Sequence, residues 1–291
     1  MKRTTRRSMM LRKMMGVPDV SAGATFLEER SSVLFFNDDN PAPGAVFPRS
    51  VTDGGLILAS TADDEFIEHP ANSLQDYVGY WKLNETLNTN RLDSGPHGMT
   101  LVPVYGTMTH TPGKFGNACI PSTAGAGLAY EDTSNFLKFV ADVTVSCWVK
   151  IPSGDAGTIL GRGHINTPTP PNTGWRLAYN GVAFTFYVID TGIGQVSQAP
   201  VSDELSTFVH VVAWRMQGLI GISVENQTPA TAVRTMSNIS YDADNTFSLC
   251  HDGNEQDNVL DCTLDEVVVW GRVLSSEERD YLWNNGNGVE L

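Results

Sequence analysis

Apolar and polar positions alternate with period two from Val143 to Val149, placing Val143, Val145, Cys147 and Val149 on one face. The same alternation runs from Val182 to Val188 and groups Val182, Phe184, Phe186 and Val188. Successive side chains of a strand point to opposite faces, so each run predicts a strand with that set in a core. A third run, Leu264 to Trp270, is rich in Val and Trp, opens on Asp265 and Glu266 and closes at Gly271, which reads as a buried strand. A short helix should follow it. Ser275 is placed to cap that helix while Glu278, three residues on, reaches back to the cap's amide, and Asn284-Asn285-Gly286 supplies a stop that tolerates left-handed backbone. From Tyr77 onward short strands lie between turn signals, the pattern of an all-β sandwich or jelly roll. Residues 1–76 are different: Val33-Leu34-Phe35-Phe36 and Leu56-Ile57-Leu58 flank a Pro-rich stretch from Pro41 to Pro48, and such short runs are too few to close a core of their own. The expected division is an extended arm over residues 1–76 and a β domain over residues 77–291.

Several segments resemble one family. The closing stretch DEVVVWGRVLSSEERDYLWNNG resembles the terminal signature of the laminin-G-like, concanavalin-type jelly-roll family. Upstream and in order, Tyr80 to Glu85 (YWKLNE) resembles its first strand, and Leu92 to Gly98 (LDSGPHG) its "DSSGNG" loop. Gly113 to Ala118 (GKFGNA) matches a recurring turn, Val143 to Lys150 the "FTISFWVK" strand, and Phe208 to Ala213 stands in place of "WHHVAV". The resemblance implies a concanavalin A-like antiparallel β-sandwich with an N-terminal arm and a short C-terminal helix. It implies less about function, since glycan-binding, adhesion and purely structural modules share that frame.

A hydrophobic content of 41% with 18% charged residues fits a globular chain with a sizeable core. The net charge of −14 is unevenly distributed. Lys2, Arg3, Arg6, Arg7, Arg12 and Lys13 crowd the first 16 residues without an acid, leaving 13 basic against 33 acidic residues in the rest. An acidic body repels nucleic acid, so any such contact is expected only through the basic head. Cys119, Cys147, Cys250 and Cys262 form no CxxC pair or zinc spacing; they read as buried thiols, with a disulfide such as Cys250 to Cys262 as the alternative. The run Met9-Met10-Leu11 is broken by Arg12 and Lys13, so no secretory signal is read and cytoplasmic synthesis is expected. No apolar stretch approaches the roughly 20 residues a bilayer needs, so membrane insertion is not expected.

Glycoside hydrolases also use this sandwich, but retaining hydrolysis needs two carboxylates about 5–5.5 Å apart. On one strand that means acids two residues apart, and the ExDxxE arrangement of glucanases is absent, as are GxSxG, HExxH and P-loop motifs. The chain is expected not to be an enzyme. The family often holds Ca²⁺ between the first acidic loop and the final strand, which the resemblance carries to Asp93 and Asp265. Asp265 shares parity with Val267 and Val269, and a carboxylate on a core face needs either a cation or backbone amides. Aromatic residues near the loops offer sugar-stacking faces: Trp175 after a Pro/Gly loop, and Tyr179 and Tyr187 on strand segments. The loops at residues 164–174, 190–200 and 251–258 are polar and rich in Gly or Pro, where a rigid scaffold carries recognition residues.

Two readings follow. In the first, the chain is a non-enzymatic structural or decoration protein of a large assembly, a bacteriophage virion above all. Its arm, through the six basic residues and the apolar Phe35 and Phe36, anchors to capsid or tail proteins or to further copies of the chain. The outward jelly roll then contacts host-surface glycans. In the second it is a stand-alone carbohydrate-binding lectin or adhesion module.

Overall fold

The alternation at residues 143–149 becomes a strand at the centre of an eight-stranded antiparallel sheet. In this computed structural model the described residues are 73–291 apart from 153, 165–171, 190–192, 201–204, 217, 235–237, 242–245 and 254–257. Before residue 73 only four strands are described. There β1 (Ala24–Glu29) pairs antiparallel with β2 (Ser32–Asn37), and β3 (Leu58–Ser60) with β4 (Phe66–Glu68). Phe35 and Phe36 stand opposite Phe26 and Thr25 in that register, while the six basic residues at the head of the chain lie outside the described residues.

The larger of the two units into which the chain divides, Asp76–Glu290, holds two sheets. The eight-stranded sheet runs β17 (Ala230–Val233), β16 (Leu219–Val224), β15 (Val209–Met216), β10 (Val143–Lys150), β19 (Thr263–Trp270), β8 (Asn117–Pro121) and β7 (Met108–Pro112), with β5 (Gly79–Trp81) also pairing β19. The seven-stranded sheet runs β14 (Ile193–Gln198), β13 (Phe184–Ile189), β12 (Trp175–Tyr179), β11 (Gly157–Arg162), β18 (Thr246–Leu249), β9 (Gly127–Glu131) and β6 (Val102–Val104). Their facing sides form one core. Val143, Val145, Cys147 and Val149 enter it from one sheet, and Phe184, Phe186 and Val188 from the other. Each such side chain contributes about 1.5–3 kcal/mol by leaving water. Val182 does not join them. Asn180 Oδ1 accepts from the amides of Val182 (3.1 Å) and Ala183 (2.8 Å), so residue 182 sits in a turn, 73% exposed.

The other side of the eight-stranded sheet is buried as well. Helix α1 (Ser276–Trp283) begins where expected: Glu278 N donates to Ser275 Oγ (3.2 Å), Ser275 N donates to Glu278 Oε2 (2.7 Å), and Asn284 ends the helix in left-handed backbone at φ 46°. Arg272 pairs with both Glu278 (2.7 Å) and Asp76 (2.7 Å), tying the helix start to the start of the unit. The helix lays Trp283 parallel to Trp148 at 5.7 Å and Arg279 over Trp214 at 4.5 Å. His210 stacks on Trp148 at 4.8 Å and shares a 2.9 Å hydrogen bond with Ser146 Oγ. Burial lowers the pKa of His210 to about 3, so the imidazole is neutral.

Candidate functional site

Two of the residues put forward as sugar-stacking faces point into the core. Trp175 is fully buried, with its ring 6.0 Å from that of Phe247, and Tyr179 packs on Phe184 at 5.2 Å. Neither offers a face to a ligand. The Pro/Gly loop ahead of Trp175 suggested an exposed ring, but the residue already belongs to β12, whose odd positions 175, 177 and 179 all face the other sheet.

The even position, Arg176, faces outward, and there the structure assembles a site. Arg176 stands opposite Tyr187 on β13, and Tyr187 opposite Gln195 on β14. On the other side Arg176 is opposite Gly161, where a Cβ would come within 2.8 Å of Trp175 O and 3.2 Å of Arg176 Cβ, so glycine leaves room for the arginine to lie across the sheet. The guanidinium lies 4.8 Å from the Tyr187 ring centre, and its Nη1 is 2.7 Å from Asp252 Oδ2. Asn258 Nδ2 donates to the same oxygen at 3.4 Å, and Ser248 Oγ donates to His251 O at 2.8 Å, seating the loop that follows β18 on this face. Arg176 and Asp252 are 6% and 1% exposed, so the ion pair is a buried, mutually compensated support. Tyr187, half-buried, carries its ring above it. Beside the ring, Thr185 Oγ1 and Ser197 Oγ are 2.8 Å apart and Asn180 Nδ2 donates to Thr185 at 3.3 Å, while Gln195 is exposed. A ring with one face backed by a cation, bordered by hydroxyl and amide groups, can stack on a sugar ring and bond its hydroxyls. Of the three predicted aromatics, only Tyr187 lies on this platform. Sequence reading missed Arg176 and Asp252, because their pairing joins positions 76 residues apart; the available signal was an arginine at the outward parity of an otherwise apolar strand.

Asp93 and Asp265 each hold a turn. Asp93 Oδ1 accepts from the amides of Tyr80 (2.9 Å) and Gly95 (2.7 Å), and Oδ2 from Met99 (2.9 Å). Asp265 Oδ2 accepts from the amides of Lys114 (2.7 Å) and Phe115 (3.0 Å), and Oδ1 from Glu266 (3.0 Å). Ca²⁺ takes six to eight oxygens, yet among the described residues no three of His, Cys, Asp or Glu converge, and both carboxylates are committed to amides. The residues therefore do not fit that ion. The parity expected for Asp265 also changes: the register with β10 shifts between Ser146 and Trp148, and Glu266 takes φ 51°, a β-bulge. Leu264, Val267 and Val269 face the core, and Asp265 turns instead to the Gly113–Asn117 turn. Burial raises the pKa of Asp265 to about 7, against the pull of its three amides. Burial also raises Glu266 to about 8, although Tyr80 Oη donates to its carboxylate.

A family model described as the concanavalin A-like lectin/glucanases superfamily (Laminin_G_3) matches residues 123–278. No curated protein matches the chain in sequence. Among solved structures, the receptor-binding domain of botulinum neurotoxin mosaic serotype C/D superposes with a TM-score of 0.53 at 13% identity, covering 72% of this chain and 51% of that one. The binding domain of Paraclostridial Mosquitocidal Protein 1 gives 0.52 at 14% identity, covering 70% and 53%. A structure described as showing that cell entry of botulinum neurotoxin type C depends on interaction with two ganglioside molecules gives 0.56 at 12%, covering 74% and 52%. The chain thus spans about half the length of these structures, and at such identities the likeness is one of fold. Among the described residues no helix is long and apolar enough to cross a membrane.

Proposed function

Because the chain belongs to the concanavalin A-like lectin/glucanase superfamily, we propose that it is a non-enzymatic recognition module whose seven-stranded sheet binds surface carbohydrate through Tyr187. The observation that carries this reading is the half-buried Tyr187 ring held over the Arg176–Asp252 pair, with the exposed Gln195 and Ser197 beside it. The ganglioside dependence named for botulinum neurotoxin type C is a property of that protein and supports the ligand class by analogy of fold alone. A glycan array probed with the wild type and with Tyr187→Ala tests the reading: binders lost in the variant are expected, and an array without binders retires it.

The module is displayed by a larger assembly, with a phage virion as the setting that best suits a basic-headed segment ahead of an acidic domain. Deleting residues 1–76 is expected to leave a folded β domain that no longer joins its assembly. Neutralising Lys2, Arg3, Arg6, Arg7, Arg12 and Lys13 is expected to impair incorporation mainly at low ionic strength, because a screening length of about 10 Å at 0.1 M salt already weakens the attraction of the wild type's charges. Normal incorporation of the truncated chain would leave the stand-alone lectin as the reading.

A further inference from the structure

Cys250 directly follows β18 in the seven-stranded sheet, and Cys262 directly precedes β19 in the eight-stranded sheet. Their sulfurs are 3.6 Å apart and both residues are buried. The backbone aims them at each other. Cys250 N donates to Ile159 O (2.9 Å), Leu260 N donates to Cys250 O (3.0 Å), and Cys262 N donates to Leu260 O (2.9 Å). Cys250 also takes φ 69°, a left-handed conformation that a residue with a Cβ adopts at a cost. Cys119 is placed differently, its sulfur accepting from Arg91 Nε at 3.3 Å. Closing the Cys250–Cys262 gap to a bond of about 2.05 Å asks for a movement of about 1.6 Å, within reach of side-chain rotation.

We propose that Cys250 and Cys262 are an oxidisable pair that closes into a disulfide, joining the two sheets and bracketing the loop 251–261 that carries Asp252 and Asn258. The co-reactant is a small-molecule disulfide. One cysteine sulfur, as thiolate, attacks it and expels the first small thiol, leaving a mixed disulfide. The second cysteine attacks the protein sulfur of that intermediate, the Sγ–Sγ bond forms, and the second small thiol leaves. The two cysteine protons and two electrons end on the two released thiols. In the folded chain the hydrogen bond to Cys262 and burial hold the Cys250 thiol well above its usual range. A protonated, enclosed pair reacts slowly, so closure belongs to folding or to opening of the loop. Once formed, the bond restricts the unfolded chain and keeps the loop ends beside β11 and β12, where Asp252 meets Arg176.

The test refolds the full chain from denaturant with oxidised and reduced glutathione, or with reductant alone, and alkylates free thiols after denaturation. No Lys or Arg lies between Arg234 and Arg272, so one tryptic peptide, 235–272, holds both cysteines and excludes Cys119 and Cys147. In the oxidised sample that peptide is expected unalkylated and lighter by two hydrogens than its reduced form, while Cys119 and Cys147 are alkylated. The oxidised protein should also melt several degrees above the reduced one, a difference that Cys250→Ser/Cys262→Ser abolishes. Four alkylated cysteines in refolded, oxidised protein, or a bond that includes Cys119 or Cys147, would overturn the proposal. Should the double variant not fold, the peptide mass of the wild type decides alone.

Discussion

The two sheets share a core but treat their outer sides in opposite ways. Behind the eight-stranded sheet, the chain covers itself: Trp148, His210 and Trp283 stack under α1, and Asp265 and Glu266 are enclosed by turns and Tyr80. Over the seven-stranded sheet, among the described residues, the loop after β18 brings Asp252 down onto Arg176 and the Tyr187 ring beside them is only partly buried. On the first side folding engages the carboxylates, since both oxygens of Asp265 accept amides and one oxygen of Glu266 accepts the Tyr80 hydroxyl. On the second side a buried ion pair serves as support for groups that still face outward. A signature residue can thus be a fastening rather than a ligand site, as at Asp265.

The sharpest test of the covered side is Trp148→Ala, which removes the ring between His210, Trp283 and the Lys114 ammonium 4.2 Å away. It should lower unfolding stability by about 3–5 kcal/mol in a urea titration. Asp265→Ala strips three amides of their acceptor and should cost about 3 kcal/mol, read as a fall in Tm, at roughly one hydrogen bond each. Chelator should not reproduce that loss in the wild type; if it does, the carboxylate holds a cation after all.

Glu266→Gln probes the charge itself. A carboxyl whose folded pKa is raised contributes stability fully present below its unfolded value and lost as pH rises through the folded one. For Glu266 that loss runs from the unperturbed 4.5 up to about 8. The variant should therefore nearly match the wild type near pH 5 and exceed it by several kcal/mol at pH 9, where the wild type must carry a buried charge. Equal stability at both pH values would mean that the acid is solvated. The smallest stability effect belongs to the open side: Tyr187→Ala should change unfolding by less than about 1 kcal/mol, since the ring is only partly buried, while removing glycan binding. A large loss of stability there would make the ring part of the core and erase the contrast between the faces.

Much of the frame was legible in the residues. The period-two run at 143–149 placed four side chains in the core correctly, and Ser275, Glu278 and Asn284 marked both ends of the helix. Two of the errors share one cause, a local feature that breaks the alternation. Val182 was grouped with the strand although Asn180 folds that position into a turn, and the bulge at Glu266 displaced Asp265 from the parity of its valines. Trp175 was read from the loop before it, when the strand had already begun.

The sequence by itself determined which segments become strands, where the helix starts and stops, and that the domain is an antiparallel sandwich, because these depend on short-range periodicity and on caps within four residues. Only the tertiary structure decided which outer face is covered and which stays open. It set Asp252 against Arg176 across 76 residues, Tyr80 against Glu266 across 186, and the sulfurs of Cys250 and Cys262 side by side at the junction of the sheets. Such pairs depend on strand order and register, which link distant positions through backbone hydrogen bonds that no local pattern encodes.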